Sequence, residues 1–553
     1  MKRLTLFCIL LACFTAALSA HPKHEVRAVW LTTIGGIDWP SQYAHDGMGI
    51  ATQKEQFCNM LDRLKAVNVN TILLQTRVRA TTIYPSDIEP WDGCLSGKPG
   101  VSPGYDALQF AIDECHRRGM ELHAWVVTIP IGKWQSYGCQ QLRRRHQRMV
   151  KRIGDEGYLN PESPQTADYL ANICEEITRR YDIDGIHLDY IRYPETWRGS
   201  KSHTYITNIV RNIHEKVKMH KPWVKLSCSP IGKYDDLSRY RSNGWNANRR
   251  VAQDAQGWMS EGLMDQLYPM MYFAGNQFYP FAIDWQENSC GRMVSAGLGV
   301  YMLSPRERNW PLSEMQRQLN VARSIGLGHT FFRAKFLLDN VKGIYDYVRS
   351  FDCHPALIPP MSWNKNVAPS APEWLKVEHT TAGDNLTWHS GRDNSDGPYL
   401  LYNIYASETF PVDVNKASNL LAVRHLWQHL SIRRPSGKQH LFYAVTAVDR
   451  YGNESPACQL SSPAHSTKTA VSRLIANDGS TLRIPAQPFD AATVLVCSPQ
   501  GNLLYRFRYQ SAIDISHIPE GSYLLYVQNN KKITHRLGYF IIKRQIGKNN
   551  VDK

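Results

Sequence analysis

The segment Asp184-Gly185-Ile186-His187-Leu188-Asp189-Tyr190-Ile191-Arg192-Tyr193-Pro194 carries the densest candidate chemistry in the chain. Its apolar residues alternate as in a β-strand, where successive side chains point to opposite faces. That alternation sets Ile186, Leu188 and Tyr190 on one face and His187, Asp189 and Ile191 on the other. A carboxylate is therefore aimed inward near a strand end, with an imidazole one layer below. Burying an unpaired carboxylate is costly, so such a group is either paired or in use. Arg192 or Arg77 could pair it; its use would be proton transfer or nucleophilic attack.

Such a carboxylate needs a scaffold to hold it. From Val26 to Ser350 short apolar strands alternate with amphipathic helical segments. The strand patterns are Val26–Thr33, Thr71–Arg77, Glu121–Val127, Gly185–Arg192, Val224–Pro230, Met264–Phe273, Val294–Leu303 and Leu327–Phe336. Helical patterns include Tyr105–Arg118, Pro164–Tyr181, Thr204–His220, Arg250–Glu261 and Leu312–Ser324. Gly119, Gly262 and Gly326 fall just past helix ends, where a left-handed residue is wanted. Eight such repeats predict an α/β fold, a (β/α)8 TIM barrel over residues 24–353. No glycine-rich phosphate loop follows the first strand, which argues against a doubly wound sheet.

Active sites of this barrel lie at the C-terminal strand ends. The same parity collects Gln75 and Arg77 from the second strand and His123 and Trp125 from the third. The sixth offers Tyr268 and Tyr272, the seventh Tyr301, and the eighth Arg333 and Lys335. Trp30, His187, Arg192 and Tyr193 complete the expected substrate-contacting set. One carboxylate among hydroxyls, amides and aromatic platforms suits a sugar, because ring faces stack on pyranose C–H surfaces.

If a sugar bound there is cleaved, glycoside hydrolysis would call for two carboxyl groups, about 5–5.5 Å apart for retention or roughly 6.5–9.5 Å for inversion. Asp189 is the expected nucleophile or base. The sixth strand ends Tyr268-Pro269-Met270-Met271-Tyr272 without an acid, so the second group is sought on loops. Glu195 and Asp235 rank first because they follow the fourth and fifth strands directly; Asp236, Asp284 and Glu307 come after. An N-acetyl group on the substrate would remove the need for an enzymic nucleophile.

The 553 residues carry a net charge of +15, from 64 Lys+Arg against 49 Asp+Glu, spread along the chain. That balance suits an acidic polymer or an envelope surface. Lys2 and Arg3, the apolar run to Leu18 and Ala17-Leu18-Ser19-Ala20 predict a secretory signal peptide over residues 1–20. Export, to the periplasm or the outer envelope, demotes nucleic acid as a partner, and no recognition motif accompanies the charge. Of 12 cysteines, those from Cys58 onward are widely spaced and form no CxxC pair, so buried thiols are expected over a zinc or redox motif. No cofactor or metal is required by these motifs.

A proline-rich linker is expected over residues 354–372. Short strand patterns at Trp374–His379, Asn385–His389, Tyr399–Ala406 and His440–Asp449 predict a small all-β sandwich over 373–466. Its Tyr402-Asn403-Ile404-Tyr405 and Tyr443 to Asp449 segments resemble fibronectin type III domains, which implies a spacer or docking module. A second small β-domain is expected over 475–545. There Ile513-Asp514-Ile515-Ser516-His517-Ile518-Pro519-Glu520-Gly521-Ser522-Tyr523 resembles C-terminal sorting domains of type IX secretion substrates. Envelope association through these β-domains is a further expectation.

The barrel itself resembles the glycosyl-hydrolase-like family 10 of exported bacterial proteins. The resemblance is carried by Glu25-Val26-Arg27-Ala28-Val29-Trp30, Gln75-Thr76-Arg77-Val78-Arg79 and Tyr84-Pro85-Ser86-Asp87-Ile88-Glu89-Pro90-Trp91. It continues through Gly119 to Trp125, Leu159-Asn160-Pro161, Asp184 to Pro194 and Ser229-Pro230-Ile231-Gly232. The resemblance implies a TIM barrel acting on glycosidic bonds; one member is a divisome-associated hydrolase of peptide-free peptidoglycan strands. Two departures stand out. The family often shows Asp-Asp where Asp189 is followed by Tyr190, and Asn-Pro-Tyr-Arg where this chain has Val126-Val127-Thr128-Ile129-Pro130. The expected function is thus an exported glycoside hydrolase of a polysaccharide, plausibly peptidoglycan glycan or another anionic or amino-sugar glycan. The alternative is a non-catalytic glycan-binding envelope protein on a degenerate barrel.

Overall fold

The computed structural model describes residues 21–240, 245–380, 382–433, 441–459, 475–484, 491–498, 503–530 and 534–543. The expected signal peptide at 1–20 lies outside the described residues. Eight parallel strands form the barrel: β1 (Arg27–Leu31), β2 (Thr71–Val78), β3 (Glu121–Val127) and β4 (Gly185–Asp189). The others are β5 (Lys225–Cys228), β6 (Gln266–Leu267), β7 (Met293–Leu298) and β8 (Gly328–Phe331). Each pairs with its sequence neighbours, and β1 closes the ring by pairing with both β2 and β8. Every residue of these strands is buried, as expected where helices cover a parallel sheet.

The long outer helices are α1 (Gly47–Ala66), α2 (Ala107–Arg117), α3 (Pro164–Arg180) and α4 (His203–His220). Asp46 and Asp106 cap α1 and α2 by accepting the Gly49 and Gln109 amides at 2.8 and 3.0 Å. Gly119, Gly262 and Gly326 have φ of 71°, 78° and 78°, the left-handed backbone expected beyond helix ends.

Five elements depart from the sequence expectation. The expected seventh strand, Val294–Leu303, ends at Leu298, so Tyr301 lies in the 3-10 turn Val300–Leu303. The expected eighth, Leu327–Phe336, ends at Phe331, with Ala334–Leu338 helical, so neither Arg333 nor Lys335 is a strand residue. Arg250–Glu261 is not one helix but two, α5 (Ala247–Val251) and α6 (Ala255–Ser260). Ala252 turns left-handed at φ 54°, and Asp254 then caps the second helix through Gly257 N at 3.1 Å. Strand β6 covers only Gln266–Leu267 of the expected Met264–Phe273, because Pro269 has no N–H to extend the ladder. Strand β4 stops at Asp189, since Tyr190 adopts φ 53°. Further helices include α7 (Tyr279–Glu287), α8 (Leu312–Ser324) and α9 (Ile344–Phe351).

The barrel interior is polar. Register aligns His123 and Lys225 on either side of Gly185, and Trp125 and Ser227 on either side of His187. A Cβ on Gly185 would lie 2.5 Å from the His123 ring, so glycine makes room for the imidazole. Below it, Lys225 Nζ donates to Glu121 at 2.7 Å and His123 Nε2 sits 3.0 Å from the same carboxylate.

The first β-domain closes the barrel's lower end. Among the described residues it has seven strands, in a three-stranded sheet (Glu373–His379, Gly383–His389, His429–Arg433) and a four-stranded one (Leu401–Ser407, Leu420–His425, Phe442–Val448, Cys458–Gln459). Leu386, Trp388, Tyr402, Ile404 and Val445 fill the space between them. From this domain Arg424 reaches Asp184 at 2.5 Å and Glu121 at 3.1 Å, while Arg450 reaches Asp182 at 2.7 Å and Asp184 at 3.2 Å. The proline-rich stretch between the two is packed rather than free: Met361 is buried, and Trp363 donates to Asp265 at 2.9 Å. Barrel and sandwich together form one compact unit, residues 1–461; residues 462–553 form a second. Within that second unit a two-stranded sheet and a four-stranded antiparallel sheet enclose a core of Leu482, Val494, Ile515, Leu525 and Phe540.

Candidate active site

Asp189 ends β4 with only 6% of its surface exposed. Three donors fix its carboxylate: Ser229 Oγ at 2.7 Å, Tyr190 N at 2.8 Å and Trp125 Nε1 at 3.1 Å. Its carbonyl accepts from Thr128 N and Oγ1 at 2.9 and 2.8 Å, tying β4 to the loop after β3. Burial pushes the Asp189 carboxyl above the usual aspartate range. Ser229, Arg192, the Tyr190 amide and Trp125 oppose that shift without cancelling it. A carboxyl so placed can hold a proton nearer neutrality and give it up, which is what general acid–base catalysis needs.

One layer down, His187 Nε2 accepts from Trp30 Nε1 at 3.1 Å and Nδ1 lies 3.0 Å from Ser227 Oγ. Burial, with His123 adding to it, holds this imidazole well below its ordinary range, so it is neutral. Tyr268 stands edge-on to His187 at 5.1 Å with its buried hydroxyl unpartnered among the described residues. Tyr272, Tyr301 and Phe332 form an aromatic wall, with ring centroids 5.5–5.8 Å apart. Tyr272 also feels the Asp189 charge, which adds to the burial that raises its hydroxyl far above the tyrosine norm. Trp30, Trp125, His187, Tyr268, Tyr272 and Tyr301 thus gather around or beneath Asp189.

Other expected contacts are spent on the scaffold. Arg77 is fully buried, bound twice to Glu89 and donating to the Val127 and Thr128 carbonyls. Gln75 accepts the Thr33 and Ile34 amides at 3.1 and 2.8 Å. His123 serves Glu121 below the mouth, and Tyr193 is buried against Trp197. Arg333 pairs with the buried Asp38, and Lys335 with Asp339 at 2.7 Å.

Among the candidate second acids, Glu195 shares two neighbours with Asp189, the charges of both acting on Tyr190 and the Arg192 charge acting on both. Glu195 is 48% exposed and pairs at 2.7 Å with Arg192. Burial raises the Glu195 carboxyl, but the Arg192 hydrogen bond and charge bring it below its usual range. Asp235 is bound by Arg249 at 2.9 Å and Asn248 at 3.1 Å, which fixes the start of α5. Asp236 is exposed and hydrogen-bonded through its own amide to Asp235. Asp284, on α7, is held by Gln256 at 3.0 Å, and Glu307 is exposed on the loop after β7.

Two features escaped the sequence reading. Ser229 was visible only as part of a motif, since its partner Asp189 is 40 residues away. The second is a gathering of charge that had read as spread along the chain. Residues 143–152 hold six cations and no acid, on the insertion between β3 and α3. There Arg143, Arg144, Arg145, Arg148 and Arg152 form no ion pair among the described residues, and Lys151 meets only Glu162 at 3.6 Å. Arg143 lies 4.0 Å over Trp134, and Lys151 4.4 Å over Trp197 on the loop after β4. The insertion therefore borders the mouth.

Ser229 supplies the shortest hydrogen bond opposing burial of Asp189. Ser229→Ala is expected to move the Asp189 limb of the pH–activity profile upward by roughly one unit, as loss of a charged hydrogen bond implies. A kcat/KM profile whose limb stays in place would separate Ser229 from the titrating group.

Comparison with known proteins places the barrel. A family model described as glycosyl hydrolase-like 10 matches residues 25–205 and 193–294. The chain is 28% identical over 489 residues to Glycosyl hydrolase YngK of Bacillus subtilis, covering 79% of this chain and 93% of that protein. It is 29% identical over 296 residues to Glycosyl hydrolase DigH of Escherichia coli K12, covering 46% of this chain and 67% of that protein. Among solved structures, the glycoside hydrolase domain of PgaB from Bordetella bronchiseptica aligns with a TM-score of 0.41 and 11% identity, over 59% of this chain and 98% of that domain.

Proposed function

We propose, from the premise that this chain is a glycoside hydrolase whose barrel matches the glycosyl hydrolase-like 10 model, that it is exported and cleaves an anionic or amino-sugar glycan of the cell envelope. Peptide-free peptidoglycan strands are the leading substrate. The observation that carries the reading is Asp189, a buried carboxyl, raised above its usual range by that burial, at a barrel strand end beside an aromatic wall. Asp189, expected from the sequence as nucleophile or base, is read here as the general acid: it gives its proton to the departing glycosidic oxygen while Glu195 takes a proton from the water that attacks the anomeric carbon, and solvent then returns a proton to Asp189 and removes one from Glu195. Glu195, kept ionised by Arg192, is the second carboxylate of the pair.

The basic insertion supports an anionic chain as the substrate, since guanidinium groups pair with carboxylates and aromatic faces carry sugar rings. Replacing Arg143, Arg144 and Arg148 together with glutamine is expected to raise KM several-fold at low salt and to flatten its salt dependence, with kcat little changed. Steady-state assays across ionic strength check this; an unchanged KM would remove the insertion from substrate binding.

The seven-stranded domain supports the fibronectin type III reading by its sheets of three and four strands. The signal-peptide pattern supports export, and the C-terminal unit is read as a sorting-type module. No described helix is long and apolar enough to cross a membrane. The deciding experiment incubates the purified chain with denuded peptidoglycan strands and with neutral polysaccharides, then measures reducing ends and product masses. Shortened anionic strands support the reading; tight binding with no shortened chains would overturn it in favour of a non-catalytic glycan-binding protein.

A further inference from the structure

At the end of the barrel away from Asp189, where β1 and β8 begin, three soft donors converge. His21 Nε2 lies 3.4 Å from Cys353 Sγ, and the His21 and His354 rings stand edge to face with centroids 5.0 Å apart. One donor atom from each of the three residues falls within 4.8 Å of the other two. Zinc bonds of about 2.3 Å to sulfur and about 2.0 Å to nitrogen, set tetrahedrally, put the two donors roughly 3.5 Å apart. His21 and Cys353 already have that separation.

We propose that His21, Cys353 and His354 form a surface site for a zinc-type divalent metal, with the remaining coordination position open to solvent. Thiolate and imidazole together select zinc or cobalt over magnesium or calcium, which prefer oxygen ligands.

Backbone pairing holds the three residues in place. Lys23 O accepts the Leu357 amide at 2.8 Å and the Glu25 amide donates to Leu357 O at 2.9 Å, so the N-terminal segment runs beside the one that carries Cys353 and His354. His354 O accepts from Arg27 Nη1 at 2.6 Å, and the neighbouring Asp352 is buried against Arg323 and His329. Such outer contacts orient ligands and reduce the ordering cost of binding. Glu25 and Asp352 also match the charges of Arg27 and Arg323. A metal here would clasp the N-terminal segment to the chain leaving α9, stabilising the fold by mass action.

The test titrates the untagged, reduced full chain with Co2+ and then with Zn2+. A thiolate-to-cobalt absorption band at one equivalent, displaced by zinc, is expected, with a zinc-dependent rise in unfolding temperature. Cys353→Ser should abolish the band, and His354→Ala should weaken binding at least tenfold. Cys353 is exposed and His354 half-buried, so both variants are expected to fold, which circular dichroism checks; Cys353→Ala replaces the serine variant if it does not. A wild-type chain with no thiolate–cobalt band, or a band that survives loss of Cys353, overturns the site. Neither outcome bears on glycan cleavage.

Discussion

Asp189→Asn is expected to cut glycan turnover by about 100- to 10,000-fold, the range general acid–base groups contribute, while leaving the chain folded. The side-chain amide keeps the volume of the carboxyl and still accepts from part of the donor set of Ser229, Tyr190 N and Trp125. One donor is left unmatched, a cost of about 1–3 kcal/mol. Loss of a desolvated charge offsets part of that cost. What the amide cannot do is hold and release a proton. Reducing-end release from denuded strands, with circular dichroism as the folding control, reads both consequences. Undiminished turnover by the asparagine variant would move the chemistry away from β4.

The second large effect lies at the opposite end of the barrel. Arg424→Met is expected to lower the unfolding free energy by roughly 3–5 kcal/mol, because removing one partner strands buried charge. Asp184 would keep His116 and Arg450, but Glu121 would rely on Lys225 and His123 alone. Methionine fills much the same space, so the loss reports the charge rather than a cavity. A barrel truncated before residue 373 should be worse still, losing Arg424 and Arg450 together. Denaturant unfolding of the full chain and the variant measures the difference; a truncated barrel with an unchanged midpoint would refute the coupling.

The same network sets an acid limit. Although burial alone would raise it, Glu121 is held down to about 2 by Lys225, Arg424 and His123, against an ordinary 4.5. Arg424, His116 and Arg450 hold Asp184 well below its usual range in spite of burial. A carboxyl with a depressed folded-state value stabilises the fold fully above its unfolded value, and that stability is lost as pH falls. For Glu121 the loss runs from about 4.5 down to about 2. Arg424→Met should therefore unfold at a higher pH than the parent in an acid titration.

Much of this was legible in the chain because burial constrains local pattern. The eight strands showed as apolar runs, since both faces of a parallel barrel strand are covered. Asp189 stood out because a carboxylate at such a position has few bland explanations. Arg77 was harder to read. Parity placed it near the mouth, but only the tertiary return of the Glu89 loop shows that its guanidinium is already bound. Ser229 and the Arg424–Asp184 contact were beyond pattern reading, for each depends on partners 40 and 240 residues apart. The length of β6 turned on one proline, and the break before α6 on a left-handed Ala252, which no propensity favours.

Tyr190 follows Asp189 with φ 53°, is 39% exposed and lies beneath the Arg192 guanidinium at 4.7 Å. A left-handed backbone costs a tyrosine about 1–2 kcal/mol, whereas aspartate and asparagine enter that region more readily. Position 190 is thus a place where mutation toward an acid relieves strain instead of creating it. For a lineage drifting between substrates, that makes the residue beside Asp189 a small evolutionary step. The exposed tyrosine can be traded for a second acid in a single substitution, at the loss of its ring contact with Arg192.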